Sequence, residues 1–271
     1  MKFFTGTVLT AAFAVCVSAQ TETGWTLDKP EDWVTTPKQT LTVKDGVITA
    51  PGSVRLISKR SFPVDGAKTY TIAAELRQTA GLPRNVYVGF IPLDSKGNPI
   101  SFAKVSARKG TESVLTKPVK KGAKEIWIKA NRKWDPVSRI VKKGDAIAWN
   151  VKEDYSDLPN SNIAFCEITN VETVNDEMKV IMRKPIKVDI PAGTMIRCHA
   201  DGGSMYTAGY GIPGRNDFKR FEGSAKGILD FGFSSKSWPK GTKRCHIILL
   251  LNWGGQKTGQ TEFRNMKLTV K

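Results

Sequence analysis

Tyr70-Thr71-Ile72-Ala73-Ala74-Glu75-Leu76-Arg77 is the stretch on which the fold turns. Tyr70, Ile72, Ala74 and Leu76 fall on alternate positions, so a β-strand puts them on one face and Thr71, Ala73, Glu75 and Arg77 on the other. The first face is apolar enough for a core, and the second is polar and available. Helical spacing would scatter the same residues around a cylinder.

The pattern repeats outward in both directions. Short runs rich in β-branched and aromatic residues occur at 41–43, 46–50, 54–58, 69–77, 85–93, 125–130, 146–151, 163–171, 178–182, 195–200, 227–233, 245–252 and 263–270, separated by Gly, Pro, Asn and Asp. Many short strands between turn signals predict an all-β chain folded as an antiparallel, jelly-roll-like β-sandwich. Lys44-Asp45-Gly46, Asp94-Ser95-Lys96-Gly97-Asn98 and Val174-Asn175-Asp176-Glu177 are predicted hairpin turns, because Gly, Asn and Asp tolerate positive φ. Cys245 to Trp253 is apolar on both faces, which predicts a central strand covered on both sides. The Gly-rich segment 201–222 is predicted to be a long loop carrying Tyr206, Tyr210 and Arg215, and loops of that length often carry function.

Residues 1–19 have the order of a secretory signal peptide: Lys2, an apolar run, then Val17-Ser18-Ala19. Cleavage is expected before Gln20, leaving 20–271 as a single jelly-roll-like domain with long loops, secreted or periplasmic. No other apolar segment is long enough to span a bilayer. The whole chain holds 42 Lys and Arg against 25 Asp and Glu, a formal charge of +17. In an exported protein that excess points to anionic partners such as acidic polysaccharide or cell-envelope glycan, and equally to simple solubility. The bias is local: 104–143 has thirteen bases against three acids, and 145–189 has five against nine.

Cys166, Cys198 and Cys245 remain after processing, too few for a disulfide scaffold. Arg197-Cys198-His199 recurs as Arg244-Cys245-His246, which suggests zinc at first sight. Neighbouring strand residues point to opposite faces, so the Cys pair and the His pair do not converge on one ion. A Cys198–Cys245 disulfide is expected if the two strands are neighbours; buried free thiols are the alternative.

Val54-Arg55-Leu56-Ile57-Ser58-Lys59, Phe62-Pro63-Val64, Tyr70 to Arg77 and Val86-Tyr87-Val88-Gly89-Phe90 together resemble the opening half of galactose-binding-domain-like jelly rolls. Trp238-Pro239-Lys240-Gly241-Thr242, the strand from Cys245 and Thr261 to Leu268 resemble their last two strands. Segments 150–160 and 191–194 resemble uncharacterised secreted bacterial proteins of the same build. The resemblance implies a carbohydrate-binding module. Such modules often place an acid after the last-strand Phe to hold a structural calcium; this chain has Arg264 there, leaving Glu262 and Asn265 as the remaining oxygen donors. No other cofactor is expected.

Candidate ligand-binding residues follow from exposure and chemistry. In the strand from Glu125, Ile126, Ile128 and Ala130 turn inward, so Trp127, Lys129, Asn131 and Lys133 share the outer side, where an indole can stack on a sugar face. Tyr206, Tyr210 and Arg215 join them from the Gly-rich loop. The acidic cluster Glu153, Asp154 and Asp157 could serve as an acid–base pair on a glycosidic bond, although a self-capped turn is the simpler use. Ser204 lacks the Gly-x-Ser-x-Gly elbow, and phosphate loops, dinucleotide fingerprints and specific nucleic-acid motifs are absent. The expected function is therefore a secreted, non-catalytic carbohydrate-binding protein. The alternatives are a structural envelope or matrix protein that uses its sandwich for protein contacts, or a polysaccharide lyase built on Arg197, His199, Tyr206 and Tyr210.

Overall fold

In the computed structural model, which describes residues 23–215 and 217–271, the alternation around Ile72 is realised over Tyr70–Ala80. Tyr70, Ile72, Ala74 and Leu76 are buried facing the interior. Their strand pairs antiparallel with Lys219–Ala225 on one side and Gln260–Val270 on the other. Val47–Pro51, Thr42–Lys44 and Thr23–Thr26 complete this first sheet. At its edge Asp45 and Gly46 have φ of 50° and 75°, so a two-residue turn returns the chain from Lys44 to its partner Val47.

The second sheet runs in the order Tyr210–Gly211, Val86–Leu93, Arg244–Leu251, Val54–Ser58 and Trp33–Thr36, with Phe62–Pro63 on the start of Arg244–Leu251. The two antiparallel sheets pack face to face as a β-sandwich, and their strands are interleaved along the chain. Arg244–Leu251 is central, as its composition predicts: Cys245, Ile247, Leu249 and Leu251 enter the core, while Ile248 and Leu250 are also buried on the other face. The Trp238 indole links the layers, lying 5.2 Å from the Tyr70 ring and 5.0 Å from the Phe90 ring.

A second hydrophobic cluster, from Leu115 to Cys198, lies wholly in the segment between Val86–Leu93 and Tyr210–Gly211. It is covered by two smaller sheets. One holds Glu125–Lys129, Glu177–Met182 and Ile168–Val174; the other holds Ile163–Ala164, Ala146–Trp149, Met195–His199 and Ser113–Val114. Trp134 fills its interior and donates Nε1–H to the Thr111 carbonyl at 2.7 Å. This inserted sandwich meets the first through Phe102 against Phe233 and Tyr155 against Phe231. Most of the buried apolar residues among those described thus fall into two clusters. The expected signal peptide, 1–19, lies outside the described residues.

Several expectations need correction. The run 163–171 is not one strand: Glu167 has φ of 56° and turns the chain between Ile163–Ala164 and Ile168–Val174. Segment 227–233 supplies only Ile228–Leu229. The segment 201–222 is not all loop, since Lys219–Ala225 pairs along Tyr70–Ala80. The expected Cys198–Cys245 bridge does not form. Cys198 belongs to the inserted cluster and Cys245 to the first, their strands pair with different neighbours, and Cys166, Cys198 and Cys245 are all buried free thiols.

Candidate functional site

The outer face of the second sheet collects the features that a ligand site needs. Val86, Val88 and Phe90 point into the core, so Tyr87, Gly89 and Ile91 point away from it. Strand register then sets Tyr210, Tyr87, Leu250, Arg55 and Thr36 in one row across the sheet, and Gly89, Ile248, Ile57 and Val34 in the next. A groove of about 390 Å³ lies on this face, floored by Ile57, Ile248 and Ile91, with Arg55, Phe102 and Ser204 among its walls.

The loop beyond Gly203 follows the edge of Val86–Leu93. Phe90 N–H donates to Met205 O at 2.8 Å, and Ala208 N–H to Val88 O at 3.1 Å. This approach needs Gly89, because a Cβ there would lie 2.0 Å from the Met205 carbonyl oxygen. The loop brings Tyr206 to 4.8 Å and Tyr210 to 5.6 Å from Tyr87, the latter nearly parallel at 22°. Tyr210 is 70 % exposed. Two of the expected aromatic residues therefore meet in space, joined by Tyr87. Tyr87 was not among the expected residues: the alternation Val86-Tyr87-Val88 is the local signal that could have placed it outward, but nothing local shows that the loop reaches it. Arg55 has no ionic partner among the described residues.

The other expected site residues lie elsewhere. Trp127 sits on the three-stranded sheet of the inserted sandwich, outward as its alternation predicts, but Lys117 Nζ stands 3.4 Å from its ring centroid and occupies a face. Lys129 is exposed on the same strand. The Asn131 amide is spent on structure: Nδ2 donates to the Gly110 and Glu112 carbonyls, and Oδ1 accepts the Lys133 amide. Arg215 is exposed and donates to the Gly81 carbonyl at 3.3 Å.

The lyase constellation is not assembled. Arg197 and His199 are fully buried in the inserted sandwich, apart from Tyr206 and Tyr210. Arg197 donates to His199 Nε2 at 3.1 Å, to the Lys152 carbonyl at 3.1 Å and to Asp157 at 2.8 Å, with the Tyr155 ring 4.7 Å from its guanidinium carbon. Burial pushes His199 down to about 4, against the opposing effect of the Ala103 carbonyl. Asp157 is held below the usual carboxylate range: burial opposes this, but the Lys152 amide and the Arg197 charge outweigh it. These buried, mutually hydrogen-bonded groups form an internal strut. Among the described residues no three His, Cys, Asp or Glu side chains gather as a metal site. At the suggested calcium position Glu262 pairs with Arg77 at 2.7 Å, and the Asn265 amide donates to Glu75 at 3.2 Å. No helix among the described residues is long and apolar enough to cross a membrane.

No family model matches the chain, and no curated protein matches it.

Proposed function

We propose that this protein is an exported, non-catalytic carbohydrate-binding protein of the galactose-binding-like build, with its ligand face on the outside of the second sheet. The observation that carries this reading is the exposed Tyr210 ring lying nearly parallel to the half-buried Tyr87, extended by Tyr206. Tyrosine rings offer an apolar face to sugar C–H groups and a hydroxyl to their oxygens. Arg55, in the same row of the sheet as Tyr87, adds a cation without an ionic partner among the described residues, which favours an anionic polysaccharide.

A glycan array containing neutral and acidic polysaccharides, run at two salt concentrations, tests this. Binding to an acidic glycan is expected, weakened by salt and by Tyr210→Ala. Failure of the parent protein to bind any glycan at either salt overturns the reading.

A further inference from the structure

We propose that the inserted sandwich binds a small organic anion with a large apolar body, in a cavity separate from the tyrosine face. The cavity measures about 530 Å³ and is walled by Trp149, Phe165, Pro185 and Val188, with Lys184 and Lys187 also lining it. That volume falls within the range of about 300 to 1,000 Å³ common to small-molecule sites, which are mostly apolar with a few polar groups.

Local structure explains why apolar groups are left open here. Trp149 ends Ala146–Trp149, and its amide donates to the Asn162 carbonyl at 3.0 Å, which lays Ile163–Ala164 alongside as the sheet edge. Cys166 then turns into the core, leaving Phe165 44 % exposed. Opposite, Lys184 N–H donates to the Cys166 carbonyl at 2.9 Å and Ile186 plugs the core, so Val188 stays 40 % exposed. A single exposed apolar side chain needs no explanation. Two of them converging with a half-buried Trp on one concavity do.

The side chains lining this cavity offer only two ammonium groups and one indole N–H. A sugar would leave most of its hydroxyls without partners there, so the cavity does not suit the glycan proposed for the other face. Charge selects the class that does fit. Glu167 is shared between Arg183 and Lys184, while Lys187 has no ionic partner among the described residues. Asp189, next to Val188, accepts the Lys121 amide at 2.7 Å through Oδ1. Cations outnumber carboxylates around the mouth, and the match is a carboxylate or sulfonate on an acyl or aryl body.

The test is a fluorescence titration of the protein with 1-anilinonaphthalene-8-sulfonate, followed by displacement with dodecanoate and with uncharged dodecanol below their micelle-forming concentrations. One saturable site is expected, displaced more readily by dodecanoate than by dodecanol. Phe165→Asp and Val188→Asp, both at partly exposed positions, should abolish it while leaving the thermal melt unchanged. Lys187→Gln should weaken dodecanoate roughly fivefold, as for one partly exposed ion pair, and leave dodecanol unaffected. Saturable binding that survives both Asp variants, or equal displacement by the acid and the alcohol, overturns the proposal. So does a dimer in sedimentation that Phe165→Asp dissociates, since a second copy would then be the occupant.

Discussion

Arg197 donates Nη2–H to Asp157 Oδ2 at 2.8 Å where the arginine side chain has no exposure to solvent. The guanidinium ties Met195–His199 to the segment 152–157, which has little regular structure of its own. Removing one partner of a buried ion pair leaves the other charged and desolvated, a loss of about 3 to 5 kcal/mol. Asp157→Ala is therefore expected to destabilise the fold by that amount in urea denaturation. Replacing Arg197 and Asp157 together by apolar residues should lose less than the sum of the single changes.

His199 makes stability fall on the acid side of neutrality. In the folded state burial keeps the imidazole neutral down to about 4, whereas the unfolded chain takes up a proton near 6.5. Between those values the unfolded state binds more protons, so stability present above pH 6.5 is lost as pH falls toward 4, by roughly 3 kcal/mol in all. His199→Gln should flatten the stability curve over that window. An unchanged slope would show that another group controls it.

Tyr210 projects from the tyrosine group, so its loss should act on binding and spare the fold. Tyr210→Ala is expected to weaken glycan binding by about 1 to 3 kcal/mol, in the range of aromatic anchor residues, with an unchanged melting temperature. Trp127→Ala should weaken binding far less, because Lys117 lies over its ring. Isothermal titration of the two variants with the best array ligand decides this.

Gly89 links fold and site. In Gly89→Ala the new Cβ would collide with backbone, the Met205 carbonyl oxygen, and a backbone atom cannot rotate aside. The loop must lift from the strand and take Tyr206 away from Tyr87. We expect a destabilisation of about 1 to 3 kcal/mol together with weakened glycan binding. Retention of both parental stability and parental affinity would contradict this account of the loop.

The thiols should be silent until the protein unfolds. Burial pushes Cys166 up to about 12 and raises Cys198 and Cys245 as well, so little thiolate is present and none is accessible. Iodoacetamide should leave Cys166, Cys198 and Cys245 unmodified in the native protein and carbamidomethylate all three in urea without reductant. Fewer groups would reveal a bridge.

Much of the layer structure was legible in the chain because side-chain alternation is local. Tyr70, Ile72, Ala74 and Leu76, and likewise Ile126 and Ile128, turned inward as their spacing predicts, whereas Ala130, expected to join them, lies past the strand end at Lys129 and is exposed. The hairpin at Asp45-Gly46 and the turn at Asn175-Asp176 needed only residues that accept positive φ. Lys219–Ala225 was not legible: Lys219, Arg220 and Glu222 lie exposed, and only Phe221 and Ala225 are buried, with Gly223 between them, so the edge strand's inward face is too weakly apolar to announce it. The break at Glu167 was hidden by a run that is strand-like on both sides of it.

What the sequence determined by itself was which residues share a face, since a strand's period depends only on backbone geometry within a few residues. Which strands become neighbours was decided by tertiary structure, through sheet pairings between segments distant in the chain. That pairing set Tyr206 and Tyr210 against Tyr87. It also placed Cys198 and Cys245 in different cores despite their matching contexts, and enclosed Arg197 and His199 where a linear reading had exposed them to substrate. Local chemistry nominated these side chains, but only long-range packing could determine which of them meet.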